Sequence, residues 1–218
     1  MRCLSTGWNG GFTTTDAIYA YSVPTDWEHQ DIEAYAASRD REVGFDGEGP
    51  SLFTAVDLEH LRGARAGPAE VFATVGLSNP ASLPMDPNDA PESAMPDDDQ
   101  PVAGTVNLVV GTTRSLDNAA LANLLAVAVE AKAVTLVAQA GFPGTTTDAV
   151  VVASDPTGEQ RSFSGSATEV GTATRACVRE AVRASLASSY PNGEFPGSVE
   201  EAEHGVTTEL KAEVFVIR

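Results

Sequence analysis

Residues Val102–Ala153 read VAGTVNLVVGTTRSLDNAALANLLAVAVEAKAVTLVAQAGFPGTTTDAVVVA, an alternating apolar run, a long Ala/Leu/Val stretch and a second apolar run. In the first run Val106, Leu108 and Val110 alternate with Thr105, Asn107 and Val109, the period of a largely buried strand over Val102–Gly111. Ser115, with Asn118 three residues on, predicts a capped helix from Leu116 to Gln139 that stops before Gly141 and Pro143. Thr147–Ala153 then predicts the next strand. Working outward, Ser51–Val56 and Glu70–Leu77 read as strands, Gln30–Glu42 as a polar helix, Thr168–Ser188 as a second long helix and Thr207–Ile217 as a final strand. Leu4–Gly11 reads as an opening turn and Pro191–Gly205 as an acidic loop. Pro80–Pro101, carrying Pro84, Pro87, Pro91, Pro96 and Asp97–Asp99, is too polar and Pro-rich to bury a core and predicts a solvated loop. The order of elements predicts an α/β fold: one domain over residues 1–218, with a mixed β-sheet flanked by helices.

The 218 residues carry 31 acidic against 13 basic side chains, a formal charge of −18, and Lys132 and Lys211 are the two lysines. Phosphate backbones are bound by clustered Lys and Arg, so a nucleic-acid partner is not expected. With 42% hydrophobic residues the acid sits on a folded surface. Its self-repulsion is screened at molar salt, where the Debye length is about 3 Å, and this points to a halophilic protein. Cys3 and Cys177 suggest neither a disulfide framework nor a cysteine-built metal site. No apolar leader follows Met1, and Glu130 and Lys132 interrupt the apolar stretch Ala119–Ala138, so a cytoplasmic chain with no membrane partner is expected.

Four polar patches punctuate the apolar elements: Ser5-Thr6-Gly7-Trp8-Asn9-Gly10-Gly11, Thr74–Asn79, Gly104-Thr105-Val106-Asn107 and Gly144-Thr145-Thr146-Thr147-Asp148. Each lies at an end of a predicted strand, where loops of an open α/β sheet converge on a ligand crevice. Singly they are ordinary turns, for Gly, Asn, Ser and Thr are what turns use. Asn123 and Glu130, seven residues apart, share a helix face amid Ala, Leu and Val. A carboxylate there needs a partner, either as a structural ion pair with an arginine elsewhere or within a site.

Taken in order, Leu4-Ser5-Thr6-Gly7, Gly10-Gly11, Val75-Gly76-Leu77-Ser78-Asn79, Gly104-Thr105-Val106-Asn107, Glu130-Ala131-Lys132 and Gly144-Thr145-x-Thr147-Asp148-Ala149-Val150-Val151-Val152 resemble the CbiZ family of adenosylcobinamide amidohydrolases over nearly the whole chain. Pro143 and the Trp8-Asn9 pair depart from the pattern, and a strand is expected ahead of the first motif. The resemblance implies hydrolysis of adenosylcobinamide to adenosylcobyric acid and aminopropanol in cobamide precursor salvage. It also implies a corrinoid small molecule as partner, with cobalt present in the substrate alone and no resident cofactor or metal. A homo-oligomer stays open, as do a corrinoid-binding protein without catalysis and an amidohydrolase acting on another amide.

A corrin ring fringed by amide groups calls for apolar walls and amide-complementary side chains, which Asn9, Asn79, Asn107 and Asn123 can supply. Amide hydrolysis needs activated water or a nucleophile, an oxyanion partner and a proton for the amine. Glu130 and Asp148 are the candidates for proton transfer, and Thr147 or Ser5 for a covalent nucleophile. Ser5, Thr6, Gly10, Gly11, Gly144 and Thr145 are assigned to substrate binding, with backbone N–H groups near Gly10-Gly11 or Gly144-Thr145, helped by Asn107, holding the oxyanion. Neither G-x-S-x-G nor H-E-x-x-H occurs, and His29, His60 and His204 have no matching partners.

Overall fold

The computed structural model describes residues 1–24, 27, 31–45, 47–87, 106–202 and 204–217. Gly104, Thr105, His29 and most of the Pro80–Pro101 stretch lie outside the described residues. In chain order the elements are β1 (Arg2–Ser5), β2 (Gly11–Thr14), β3 (Tyr19–Ser22), α1 (Ile32–Val43), β4 (Ser51–Thr54), a 3-10 turn (Leu58–His60), β5 (Arg62–Ala66), β6 (Ala69–Val75), β7 (Pro80–Ser82) and β8 (Val106–Thr112). There follow β9 (Ser115–Leu116), α2 (Asn118–Ala140), β10 (Gly144–Thr145), β11 (Ala149–Ser154), β12 (Gln160–Arg161), α3 (Glu169–Ser189) and β13 (Val206–Thr207).

The central sheet has six strands in the order β2-β1-β11-β8-β6-β5. Only β8 and β11 run parallel within it, joined by the α2 crossover as parallel neighbours require. The other pairings are antiparallel, so the sheet is mixed, as the sequence predicts. Alternation sorts the two faces. Val106, Leu108 and Val110 of β8, with Val150 and Val152 of β11 and Val71, Ala73 and Val75 of β6, pack under α2 and α3 as one continuous core. On the opposite face Cys3, Val151 and Ala153 meet Leu52 of β4. There β4 pairs in parallel with β3, and α1 reaches this ribbon through Asp40, which accepts a hydrogen bond from the Tyr21 hydroxyl.

By length and composition α2 could cross a membrane, yet half of its apolar window is buried within the protein. Leu121, Leu124, Ala128, Ala131 and Leu136 are buried at helical spacing, and their transfer from water stabilises the layered fold by roughly 25 cal/mol per Å² of apolar surface.

Four expectations are corrected. Leu4–Gly11 is not a turn throughout, because Leu4 and Ser5 belong to β1, held between β2 and β11. Asp117, not Ser115, caps α2, its carboxylate accepting from the Ala120 N–H at 2.8 Å, while Ser115–Leu116 pairs with β12. The Pro-rich loop begins with a strand, since Pro80–Ser82 lies between β10 and β13. The final strand is two residues long; beyond it Val214–Ile217, an unbroken apolar run, stand exposed.

Candidate active site at one edge of the sheet

Strand direction gathers the polar patches. The C-terminal ends of β1 and β6 and the N-terminal ends of β8 and β11 lie at one edge of the central sheet, as the antiparallel and parallel registers demand. The loops after Ser5 and Val75 therefore come to the same end as Val106 and the turn just before Ala149. Loop convergence was legible in the sequence. That it occurs at the amino ends of the parallel pair follows from the mixed sheet, in which antiparallel neighbours deliver their carboxyl ends to the same place.

Thr6 fastens this edge. Its hydroxyl accepts from the Val150 N–H at 2.9 Å, and its own N–H donates to the Val150 carbonyl at 3.0 Å. Ser5, buried, accepts from the Gly7 N–H at 3.0 Å. The turn that follows is tightly folded: a Cβ on Gly10 would stand 2.6 Å from the carbonyl oxygens of both Ser5 and Gly7. Asn9 takes the left-handed conformation at φ 53° and, with Trp8, Gly10 and Gly11, is exposed at the rim.

The second patch docks on the fourth. Asn79 is fully buried, and its side-chain amide donates to the Thr146 hydroxyl at 2.7 Å and the Thr147 hydroxyl at 3.1 Å. The Thr146 N–H returns a bond to the Asn79 carbonyl at 3.0 Å. Beside it, Asp148 is enclosed by donors. Its Oδ1 accepts from the Val106 N–H at 2.9 Å and the Thr145 hydroxyl at 2.5 Å, and its Oδ2 from the Thr145 N–H at 3.2 Å. The Lys132 ammonium, buried under α2, completes the shell as an ion pair with Oδ2. A carboxylate has about four lone-pair sites, and all are occupied. Gly144 is obligatory here: a Cβ would collide with this carboxylate and stand 2.8 Å from Lys132 Nζ.

Asn107 projects from β8 toward β4, donating to the Phe53 carbonyl at 2.8 Å. Its Oδ1 and the hydroxyl of Thr74, its cross-strand neighbour in register, are buried without a hydrogen-bond partner among the described residues. Two such polar groups side by side, an amide oxygen and a hydroxyl, are costly unless water or a ligand reaches them. Beyond β4, a groove of about 790 Å³ lies between β3 and α1, walled by Tyr19, Tyr21, Tyr35 and Phe45. Burial and the Asp40 hydrogen bond push the Tyr21 phenol well above its ordinary range, so it stays a donor.

Ser5, Thr6, Asn79, Asn107, Gly144, Thr145, Thr147 and Asp148 thus stand together, with Asn9, Gly10 and Gly11 at the rim. Two candidates do not join them. Glu130 is exposed on the outer side of α2, paired at 2.7 Å with Arg175 of α3. Asn123 lies by Ser164, whose Oγ is 3.4 Å from its Oδ1. Lys132 is the residue that sequence reasoning passed over. Its signal was positional: it follows Leu124, Ala128 and Ala131 on the buried stripe of α2. Among the described residues no cluster of three or more His, Cys, Asp or Glu is arranged to hold a metal ion.

A mixed-sheet α/β protein that brings buried hydroxyls, amides and a lysine–aspartate pair to one sheet edge has the form of a hydrolytic enzyme. The chain belongs to the adenosylcobinamide amidohydrolase family, CbiZ, whose profile matches residues 1–193. It is 57% identical over 216 residues to the adenosylcobinamide amidohydrolase of Halobacterium salinarum, covering 98% of this chain and 91% of that protein. It is 28% identical over 196 residues to the enzyme of the same name from Methanosarcina mazei, covering 85% of this chain and 90% of that one. No solved structure matches the chain.

Proposed function

We infer that this protein hydrolyses adenosylcobinamide, cleaving the amide between a corrin propionate and aminopropanol to give adenosylcobyric acid and the free amine. The observation that carries the reading is the meeting of Thr6, Asn79, Val106 and Asp148, from four sequence-distant patches, at one end of the sheet in a chain of this family. Because its lone pairs are filled, Asp148 acts as an anchor that sets the Thr145–Thr147 turn. The Thr146 hydroxyl, accepting from Asn79, can donate its own proton and use its remaining lone pair to orient an attacking water. The unpartnered Oδ1 of Asn107 and hydroxyl of Thr74 suit the corrin's peripheral amides, and the aromatic groove one strand away suits the macrocycle's apolar edge.

On this reading the partner is a corrinoid small molecule, the cobalt is the substrate's own, and the reaction runs in the cytoplasm with no resident cofactor. Glu130, tied to Arg175 at the surface, takes no part. Incubation with adenosylcobinamide in molar KCl, followed by mass analysis, tests it. Release of aminopropanol is expected. Tight binding with the cobinamide unchanged would make the protein a carrier instead, and turnover of other amides without competition by cobinamide would move it to another substrate.

A further inference from the structure

We propose that Lys132 supplies the cation that stabilises negative charge on the amide oxygen during hydrolysis, an inference that rests on the amidohydrolase reading above. Of the backbone N–H groups that the sequence offers for this task, the one beside Gly144 is committed: that of Thr145 donates to Asp148. A substitute must be a donor at the same loop. Lys132 is 6% exposed, and its ammonium has three N–H bonds, of which Asp148 takes one. Among the described residues the others have no partner, although a buried ammonium is expected to fill its hydrogen bonds. A Cβ built on Gly144 would stand 2.8 Å from Nζ, so the ammonium borders the turn that carries Thr146 and Thr147. The ion pair with Asp148 fixes it there and keeps the charge from moving when substrate arrives, the preorganisation that makes an electrostatic partner effective in a site shielded from water.

The chemistry balances without a change in the charge of lysine. Water oxygen bonds to the amide carbon, and the carbonyl electron pair moves to the oxygen facing Lys132. The pair then returns as the carbon–nitrogen bond breaks, with the amine leaving on a proton from the water. The scissile amide ends a slender side arm of the corrin, which can reach a lysine that the ring itself cannot.

The test uses two variants of the full chain in molar KCl. The double variant K132M/D148N removes both charges together and so leaves no uncompensated ion, while K132R keeps a positive charge with different geometry. Circular dichroism reports folding, equilibrium dialysis with adenosylcobinamide reports Kd, and aminopropanol release reports kcat. Removal of one oxyanion donor lowers kcat by about 10²–10³-fold in well-studied hydrolases, and a loss of this size with Kd within about twofold is expected for the double variant. K132R should fall between the two. A folded double variant that turns over within about threefold of the parent overturns the proposal, as does one whose defect is entirely in Kd. If the double variant does not fold, K132R decides, and parental kcat in K132R overturns the proposal. Absence of turnover in the parent chain would instead remove the substrate assignment.

Discussion

Replacing Gly144 by alanine tests the lysine–aspartate pair as the anchor of the site. The added Cβ would collide with the Asp148 carboxylate and lie 2.8 Å from Lys132 Nζ, inside van der Waals contact with both members of a buried ion pair. Relief requires either that the β10 turn shift or that the pair separate. Overpacking of a dense interior costs about 1–3 kcal/mol. Parting a buried pair approaches the ~3–5 kcal/mol of breaking one. A loss near 3 kcal/mol is therefore expected, which for a domain of this size lowers Tm by about 6–12 °C. Urea unfolding in molar KCl, followed by circular dichroism, measures it. Gly111→Ala is the control: a Cβ there would have the Glu70 carbonyl 3.8 Å away as its nearest neighbour, an ordinary contact, and stability should stay within about 1 kcal/mol of the parent. If G144A unfolds within about 0.5 kcal/mol of the parent while keeping its activity, the ion pair is not braced against this turn and the anchoring argument fails.

Other outcomes follow from the same geometry. Glu130→Gln breaks a half-exposed pair with Arg175 and should cost less than about 1 kcal/mol with kcat unchanged; a large loss of turnover would return Glu130 to the site. Asp148→Asn leaves the Lys132 ammonium buried without its counter-charge and should destabilise by about 3–5 kcal/mol, read by thermal melting. Asn79→Ala removes the amide that holds the Thr146 and Thr147 hydroxyls and should lower kcat by about tenfold or more, measured by aminopropanol release in folded protein. Burial raises the thiol pKa of Cys3 and of Cys177, holding both as unreactive thiols, so a chromogenic disulfide reagent should label neither in native protein and both after unfolding.

The layered core was legible because its signals are local. Alternation in β8, the apolar run of β11 and the Ala/Leu spacing of α2 each announce an element from within one stretch of chain. β1 was hidden for the opposite reason: four residues make a strand only through register with Phe12 and Val152, and the latter is far along the chain. Alternation misled at the C-terminus, where Thr207–Ile217 has the right period but only Val206 and Thr207 find a strand to join. Within the candidate site, the motif residues gather at one end of the sheet, whereas one candidate carboxylate stands apart from them. Glu130 drew notice as a carboxylate on an apolar helix, yet it sits on the outward side of α2. Two positions later Lys132 falls on the inward stripe, and periodicity held that distinction in plain view.

The register of β1 beside β11 bears on how this protein reaches its working form. Residues 2–5 can pair early with residues 11–14, but their place in the central sheet waits for residues 151–154. Pairings of such sequence separation form slowly, since chain ends must find one another before any contact offsets the entropy of closure. Regain of catalysis after dilution from denaturant should then trail the return of helix signal, making turnover a reporter of β1 docking against β11.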